Sequence, residues 1–158
     1  HILNLGGNVE FSSDGSYSQK PDYVIFVYGE TPYAEGEGDI DELNFSNSNE
    51  NLIKLLKEFS KKDISTISLF LTGRPLITDK EIKYSDSFVS IWLPGTAVEG
   101  MNDVIFSNLD GSINYDFKGK LSFSWPSTSS HNPLNFNDKN YSPKFEYGYG
   151  LTYKRKNE

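Results

Sequence analysis

The sequence contains no cysteine, only two histidines, and no apolar run near the ~20 residues that a transmembrane helix requires. The absence of cysteine excludes a disulfide framework and thiol catalysis. The two histidines, His1 and His131, lie far apart in the sequence, which argues against a zinc site. We therefore predict no bound metal, no cofactor and no membrane partner.

Positive charge is also scarce, with 15 Lys and Arg against 22 Asp and Glu and a net charge of -7 at pH 7. An acidic surface disfavours nucleic acid and anionic membranes as partners. The 158 residues fit one domain, and 11 Phe, 10 Tyr and 2 Trp supply bulky material for its core. Residues 1–21 are a polar segment without an assigned role.

Three apolar runs predict β-strands. The first, residues 23–28, is continuous, β-branched and aromatic, which is typical of a strand that is buried on both faces. Residues 64–71 and 88–92 predict the second and third strands. Because helical patterns separate these strands, we predict an α/β fold with a doubly wound, mostly parallel sheet flanked by helices.

The intervening segments carry helix signals. Asn47 is placed as the N-cap of a helix over residues 47–60, and Thr96 with Glu99 forms a capping box before a helix over residues 97–107. Residues 121–125 alternate in polarity and predict a half-exposed strand. The apolar stripe of the first helix is Leu52, Leu55, Leu56 and Phe59.

The loop after the first strand, residues 29–44, holds the densest set of acids. Sites in open α/β sheets lie beyond the C-terminal ends of the strands, where this loop belongs. Crowded carboxylates raise one another's pKa values, which keeps one of them protonated for general acid catalysis, for example on a glycosidic oxygen. The spacing alone favours a solvated acidic loop or an adventitious cation site. The acids are Glu30, Glu35, Glu37, Asp39, Asp41 and Glu42.

Other chemistry-bearing patterns are missing or ambiguous. No EF-hand loop, phosphate-binding loop or Gly-x-Ser-x-Gly elbow is present. Arg74 could clamp a substrate, but we favour an ion pair with a neighbouring loop acid, because arginine suits buried bidentate pairs. Trp92 lies in an apolar run and is predicted to be a core or interdomain aromatic residue. For Trp125 both interpretations stay open, namely stacking on a sugar ring and a core or interdomain position.

Five segments resemble, in order, the motifs of the exo-glucanase branch of glycoside hydrolase family 3. Residues 29–39 (Gly-Glu-Thr-Pro-Tyr-Ala-Glu-Gly-Glu-Gly-Asp) resemble its acid/base loop, and residues 72–75 (Thr-Gly-Arg-Pro) resemble its Ser-Gly-Arg-Pro turn. The other three are residues 91–95 (Ile-Trp-Leu-Pro-Gly), 119–126 (Gly-Lys-Leu-Ser-Phe-Ser-Trp-Pro) and 147–153 (Tyr-Gly-Tyr-Gly-Leu-Thr-Tyr). The resemblance covers about residues 22–153, and we assign 22–158 to the C-terminal domain of that family.

The resemblance implies a retaining enzyme that removes β-linked glucose or similar sugars from non-reducing ends. In this branch a (β/α)8 barrel supplies an aspartate nucleophile and the α/β sandwich supplies the acid/base. By position in the loop, Glu35 corresponds to the acid/base. Glu30 is the alternative, but it follows the strand directly and is better placed for a structural role. Further structural candidates are Arg74, Asp39 and Trp92; the resemblance assigns no substrate-binding residue.

The sequence departs from the family in what it leaves out. It contains no barrel of ~250 residues and hence no nucleophile, and no βα segment is recognisable before Tyr23. We therefore expect a sandwich truncated at its N-terminus, completed by a barrel upstream or in trans, and inactive by itself. The expected ligand is a β-linked oligosaccharide or glucoside, and the family suggests an extracellular or periplasmic location. The alternative is a non-catalytic carbohydrate-binding or structural module with the same fold.

Overall fold

The computed structural model describes residues 1–45, 50–130 and 133–153, which divide into two units. The first unit contains, among the described residues, 10–45, 50–93 and 128–130. The second contains, among the described residues, 1–9, 94–127 and 133–153. The parallel sheet and the acidic loop both belong to the first unit.

The sheet has three parallel strands, β1 (Tyr23–Gly29), β2 (Ser65–Leu71) and β3 (Ser87–Trp92), in the order β1-β2-β3. The register between β1 and β2 is unbroken, whereas that between β2 and β3 shifts at Phe70/Leu71. The parallel sheet with its helices confirms the predicted α/β class.

Burial differs between the strands because of their positions in the sheet. The central strand β2 is largely buried, with Ser68 and Phe70 both 0% exposed. We expected the first strand to be buried on both faces, but this prediction was wrong. Tyr23 and Val27, two positions of β1 on the same face, are 65% and 64% exposed. Within the described part of the chain, β1 is an edge strand and pairs only with β2.

The described residues of this unit include the α-helices α1 (Glu50–Phe59) and α2 (Asp79–Lys83). The apolar stripe of α1 faces the sheet, since Phe59 is buried and its ring meets that of Phe26 edge-on at 5.5 Å. The predicted cap at Asn47 lies outside the described residues.

A cluster of buried apolar side chains lies beneath the C-terminal end of the sheet. Phe70 of β2 meets Phe45 edge-on at 4.9 Å, and Leu76 completes the cluster. Phe45 directly follows the acidic loop (residues 29–44), and Leu76 lies five residues after the end of β2. Burying each of these side chains stabilises the fold by about 1.5–3 kcal/mol. The cluster therefore fixes the chain just after the acidic loop, at Phe45, and just after the turn that follows β2, at Leu76. Partly buried neighbours are Tyr28, Leu43, Leu52 and Phe88.

The second unit contains the helix α3 (Glu99–Ile105). Its N-cap is Val98, with no side-chain capping hydrogen bond, so the predicted capping box at Thr96 was wrong. Thr96 instead lies in a turn closed by the Ala97 N–H, which donates to the Pro94 carbonyl at 3.1 Å. Across residues 1–45, 50–130 and 133–153, no helix is long and apolar enough to cross a bilayer.

The segment 121–125 is not a strand, in contrast to its prediction. It meets the C-terminal segment at one isolated antiparallel bridge, between Trp125 and Phe145. Leu121 also donates to and accepts from that segment, through Tyr149 O and Gly148 N, both at 2.8 Å. The backbone bonds lie four residues apart, too far to form a continuous ladder.

Candidate active site

The candidate site begins at Gly29, the last residue of β1, which lies against Leu71 of β2. A Cβ on Gly29 would overlap the Leu71 carbonyl oxygen, so only glycine fits this approach. The next residue, Glu30, donates its N–H to the same carbonyl at 3.1 Å. The acidic loop therefore leaves the sheet directly beside the turn that follows β2.

Glu30 is held by three donors from that turn. Its Oε1 accepts from Arg74 Nε at 3.0 Å, and its Oε2 accepts from the Gly73 N–H at 3.2 Å. The Thr72 hydroxyl is 2.7 Å from Oε2 and 2.6 Å from the Arg74 carbonyl, so its one proton serves either acceptor. The two charged side chains are only 15% (Glu30) and 17% (Arg74) exposed. Glu30 thus joins the two loops through a largely buried ion pair.

Arg74 contacts the acidic loop at two further points. Its Nη1 donates to the Gly38 carbonyl, and its guanidinium carbon lies 3.9 Å from the centre of the Tyr33 ring. Stacking on an aromatic face and forked hydrogen bonding are both characteristic of arginine. One side chain therefore contacts the beginning, the middle and the end of the segment 30–38.

Glu35 lies between these contacts and is arranged differently from Glu30. It opens a 3-10 turn, Glu35–Gly38, with φ at 45°, which is uncommon for a residue other than glycine. The residue is exposed. Within the described part of the chain, its carboxylate forms no hydrogen bond or ion pair. The structure thus leaves this carboxylate accessible from outside the domain.

Asp39 and Trp92 lie at the ends of two elements, the 3-10 turn Glu35–Gly38 and β3. Asp39 is exposed and ends the 3-10 turn, where its N–H donates to the Gly36 carbonyl at 3.2 Å. Trp92 ends β3 with φ at 54°, and its carbonyl accepts from the Thr72 N–H at 3.2 Å. The main chain of Trp92 therefore supports the same turn that holds Glu30.

Trp125 belongs to the second unit, and the other acids of the loop belong to the first. Trp125 is 3% exposed and meets Phe145 edge-on at 6.1 Å, so it is a core residue of the second unit. The loop acids do not converge on one point. Across residues 1–45, 50–130 and 133–153, no group of three or more Asp, Glu or His side chains is arranged to hold a metal ion.

Two contributors to the site, Tyr33 and Thr72, could not be predicted from the sequence. Tyr33 and Thr72 carry no charge, and their spacing relative to Arg74 gives no signal in the sequence. Their roles arise only where two loops approach each other, and Glu30 and Thr72 of these loops are 42 residues apart in the sequence. Membership of the two motif segments was the one feature that could have drawn attention to them.

Comparison with known proteins points to one family. Residues 5–153 match the model of the glycosyl hydrolase family 3 C-terminal domain. The chain is 31% identical over 143 residues to the lysosomal beta glucosidase of Dictyostelium discoideum, covering 86% of this chain and 16% of that protein. It is 27% identical over 161 residues to the periplasmic beta-glucosidase of Salmonella typhimurium, covering 86% of this chain and 20% of that protein.

Solved structures agree with this relationship. An exo-1,3/1,4-beta-glucanase from a Pseudoalteromonas species superposes with a TM-score of 0.91 at 46% identity, covering 97% of this chain and 19% of that one. A beta-glucosidase from Listeria innocua, at 24% identity and a TM-score of 0.68, shares the fold. The chain spans 16–20% of the length of the proteins compared here.

Proposed function

The chain belongs to the C-terminal domain family of the family 3 glycosyl hydrolases, and we propose that it bears the acid/base of a retaining β-glycosidase. The proposed substrate is a β-linked oligosaccharide or glucoside, from which glucose-type units are removed. The names of the relatives, beta-glucosidases and an exo-1,3/1,4-beta-glucanase, support this substrate class.

One contrast carries the assignment of the acid/base to Glu35. Glu30 accepts hydrogen bonds on both carboxylate oxygens from the turn after β2, and any other use of it would break the ion pair with Arg74. Glu35 lies in the same loop, is exposed, and stands on a turn of unusual backbone geometry. Uncommon backbone conformations cluster at functional sites, which supports Glu35 as the reacting group.

The proposed reaction has two steps. First, a carboxylate of a second domain attacks the anomeric carbon, the glycosidic C–O bond breaks, and its electron pair takes the proton of Glu35. In the second step Glu35, now a carboxylate, removes a proton from water. The water oxygen attacks the anomeric carbon and releases the nucleophile from the glycosyl-enzyme.

The proposal requires a second domain to supply the nucleophile. This chain spans 16–20% of the proteins compared with it, which leaves ample length for a (β/α)8 barrel upstream or in trans. The relatives include one lysosomal and one periplasmic protein, which supports a location outside the cytoplasm, either extracellular or periplasmic.

The assignment of the acid/base to Glu35 is tested in the complete enzyme that contains this chain, by how kcat/KM depends on the leaving group of the substrate. Glu35→Gln should lower kcat/KM for unactivated glucosides by about 10²–10⁴-fold, because general acid help is lost. For 2,4-dinitrophenyl glucosides, whose leaving group needs no proton, the loss should stay below about 10-fold. The control is Glu37→Gln, which neutralises an exposed acid two residues away.

Glu30→Gln is measured beside it on both substrates. Leaving-group dependence in Glu30→Gln alone would assign the acid/base to Glu30 instead. Equal losses on both substrates in Glu35→Gln would also contradict the proposal, because they would indicate a structural role for Glu35.

A further inference from the structure

The contacts of Arg74 point beyond a structural ion pair. We infer that Arg74 is a positioning residue for the acid/base, holding the loop on both sides of Glu35. This inference rests on the proposed role of Glu35. It assigns no contact with the substrate to Arg74, which would act through the main chain of the loop.

The three contacts of the guanidinium enclose Glu35 along the chain. Arg74 reaches Glu30 five residues before it, Tyr33 two residues before it, and Gly38 three residues after it. Each contact uses a different part of the group, namely Nε, the planar face and Nη1. A lysine ammonium is a compact point charge without that planar fork, so it could not reproduce the arrangement.

The Tyr33 ring, although 39% exposed, lies close against glycines of both loops. A Cβ on Gly38 would come within 2.7 Å of Tyr33 Cδ2, and one on Gly73 within 2.6 Å of its hydroxyl oxygen. Contacts this short do not occur for real Cβ atoms, so the ring fits only because both neighbours are glycine. The ring lies between the two loops, with the guanidinium on its face.

The backbone of Glu35 gives an independent reason for a clamp. With φ at 45°, a glutamate occupies a region that side-chain-bearing residues seldom adopt. Such conformations persist only where the surroundings over-determine them. Glu35 itself is exposed and without a side-chain partner among the described residues, so the constraint comes from the loop on either side.

Loss of the clamp should therefore impair proton transfer selectively. A reacting group displaced by about 1 Å can cost about 10²-fold in rate. The displaced group is the acid, so the cost falls on substrates whose leaving group needs a proton. A merely structural role of Arg74 would lower the activity on all substrates alike.

The test uses the complete enzyme and the variants Arg74→Gln, Arg74→Lys and Tyr33→Leu. Arg74→Gln should lower kcat/KM for unactivated glucosides by about 10²-fold and that for 2,4-dinitrophenyl glucosides by less than about 10-fold. Arg74→Lys should not restore the rate. Tyr33→Leu removes the stacked ring but keeps the ion pair. If Arg74→Gln does not fold, the inference requires Tyr33→Leu to show the same selective loss on unactivated glucosides. Lys57→Gln, at an exposed cation on α1, is the matched control.

The double variant with Glu35→Gln separates this inference from the proposed function. If Arg74 acts through Glu35, adding Arg74→Gln to Glu35→Gln should cost less than about 3-fold more on unactivated glucosides, since coupled residues are not additive. Independent, multiplying losses would overturn the inference, as would equal losses on both substrates in the single variants. If Glu35→Gln shows no leaving-group dependence, the proposed function fails and the inference falls with it.

Discussion

Replacing Glu30 by glutamine tests how much the ion pair contributes to the stability of this chain. The amide keeps the shape of the carboxylate but has one acceptor oxygen instead of two. It can satisfy either Arg74 or the pair Thr72 and Gly73, and its NH2 group then faces a donor on the other side. The substitution therefore removes at least one hydrogen bond and leaves the guanidinium without its counter-charge.

The size of the effect follows from the burial of the two groups. Removing one partner of a fully buried pair costs about 3–5 kcal/mol. Since Glu30 and Arg74 are 15% and 17% exposed, water screens part of this cost, and we expect about 2–4 kcal/mol. At about 2–4 °C per kcal/mol for a chain of this length, Tm should fall by about 5–15 °C.

Urea and thermal unfolding of the purified 158-residue chain measure the loss. Glu37→Gln is the matched control, because Glu37 is an exposed acid of the same loop, and its effect should stay within about 0.5 kcal/mol. If the two variants unfold at the same urea concentration, the ion pair contributes nothing measurable. The structural role assigned to Glu30 would then be refuted.

Two further predictions concern the same chain. Burial raises the pKa of Glu81 (7% exposed) above its usual value, so the native state binds the proton more tightly than the unfolded state and stability falls as pH rises between the two pKa values. Glu81→Gln should therefore stabilise the chain at about pH 7 and have little effect below about pH 4, and equal urea midpoint shifts at both pH values would contradict this. The isolated chain should not hydrolyse 2,4-dinitrophenyl β-glucosides above background, because the proposed mechanism takes its nucleophile from a second domain. Turnover that stays with the chain through successive purification steps would be the opposite result.

The three strands of the parallel sheet could be predicted from the sequence because each lies in an apolar-rich run, whereas the alternating pattern of residues 121–125 did not produce a strand. Residues 64–71 form an apolar-rich run, and the structure makes it the central strand with neighbours on both sides. Edge effects could not be predicted, since the exposure of Tyr23 and Val27 depends on which strand lies outermost. The cap at Thr96 failed for a local reason: the turn closed between Pro94 and Ala97 places the helix start at Glu99.

The site could be predicted only in part, because charge identifies candidates but not pairings. An isolated arginine after one strand and six acids after another indicate that an ion pair will form, but the sequence leaves six choices. The choice of Glu30 depends on Gly29, whose missing side chain lets the loop leave the sheet against the Leu71 carbonyl. That approach brings the first acid of the loop to the Thr72–Arg74 turn, and it is a three-dimensional property.

The two glutamates of the loop illustrate why a single cation can organise a site that is rich in acids. Arg74 forms its ion pair with Glu30, the acid nearest the rigid sheet, where little chain entropy remains to be lost. Its remaining contacts are to a carbonyl and a ring, which add no second carboxylate to the ion pair. If Arg74 formed its ion pair with Glu35 instead, the carboxylate that is proposed to react would be engaged by the guanidinium. The acid that orders the loop (Glu30) and the acid proposed to react (Glu35) are five residues apart, which avoids that conflict. We therefore expect relatives with this site to tolerate loss of Glu37 far better than loss of Glu30 or Glu35.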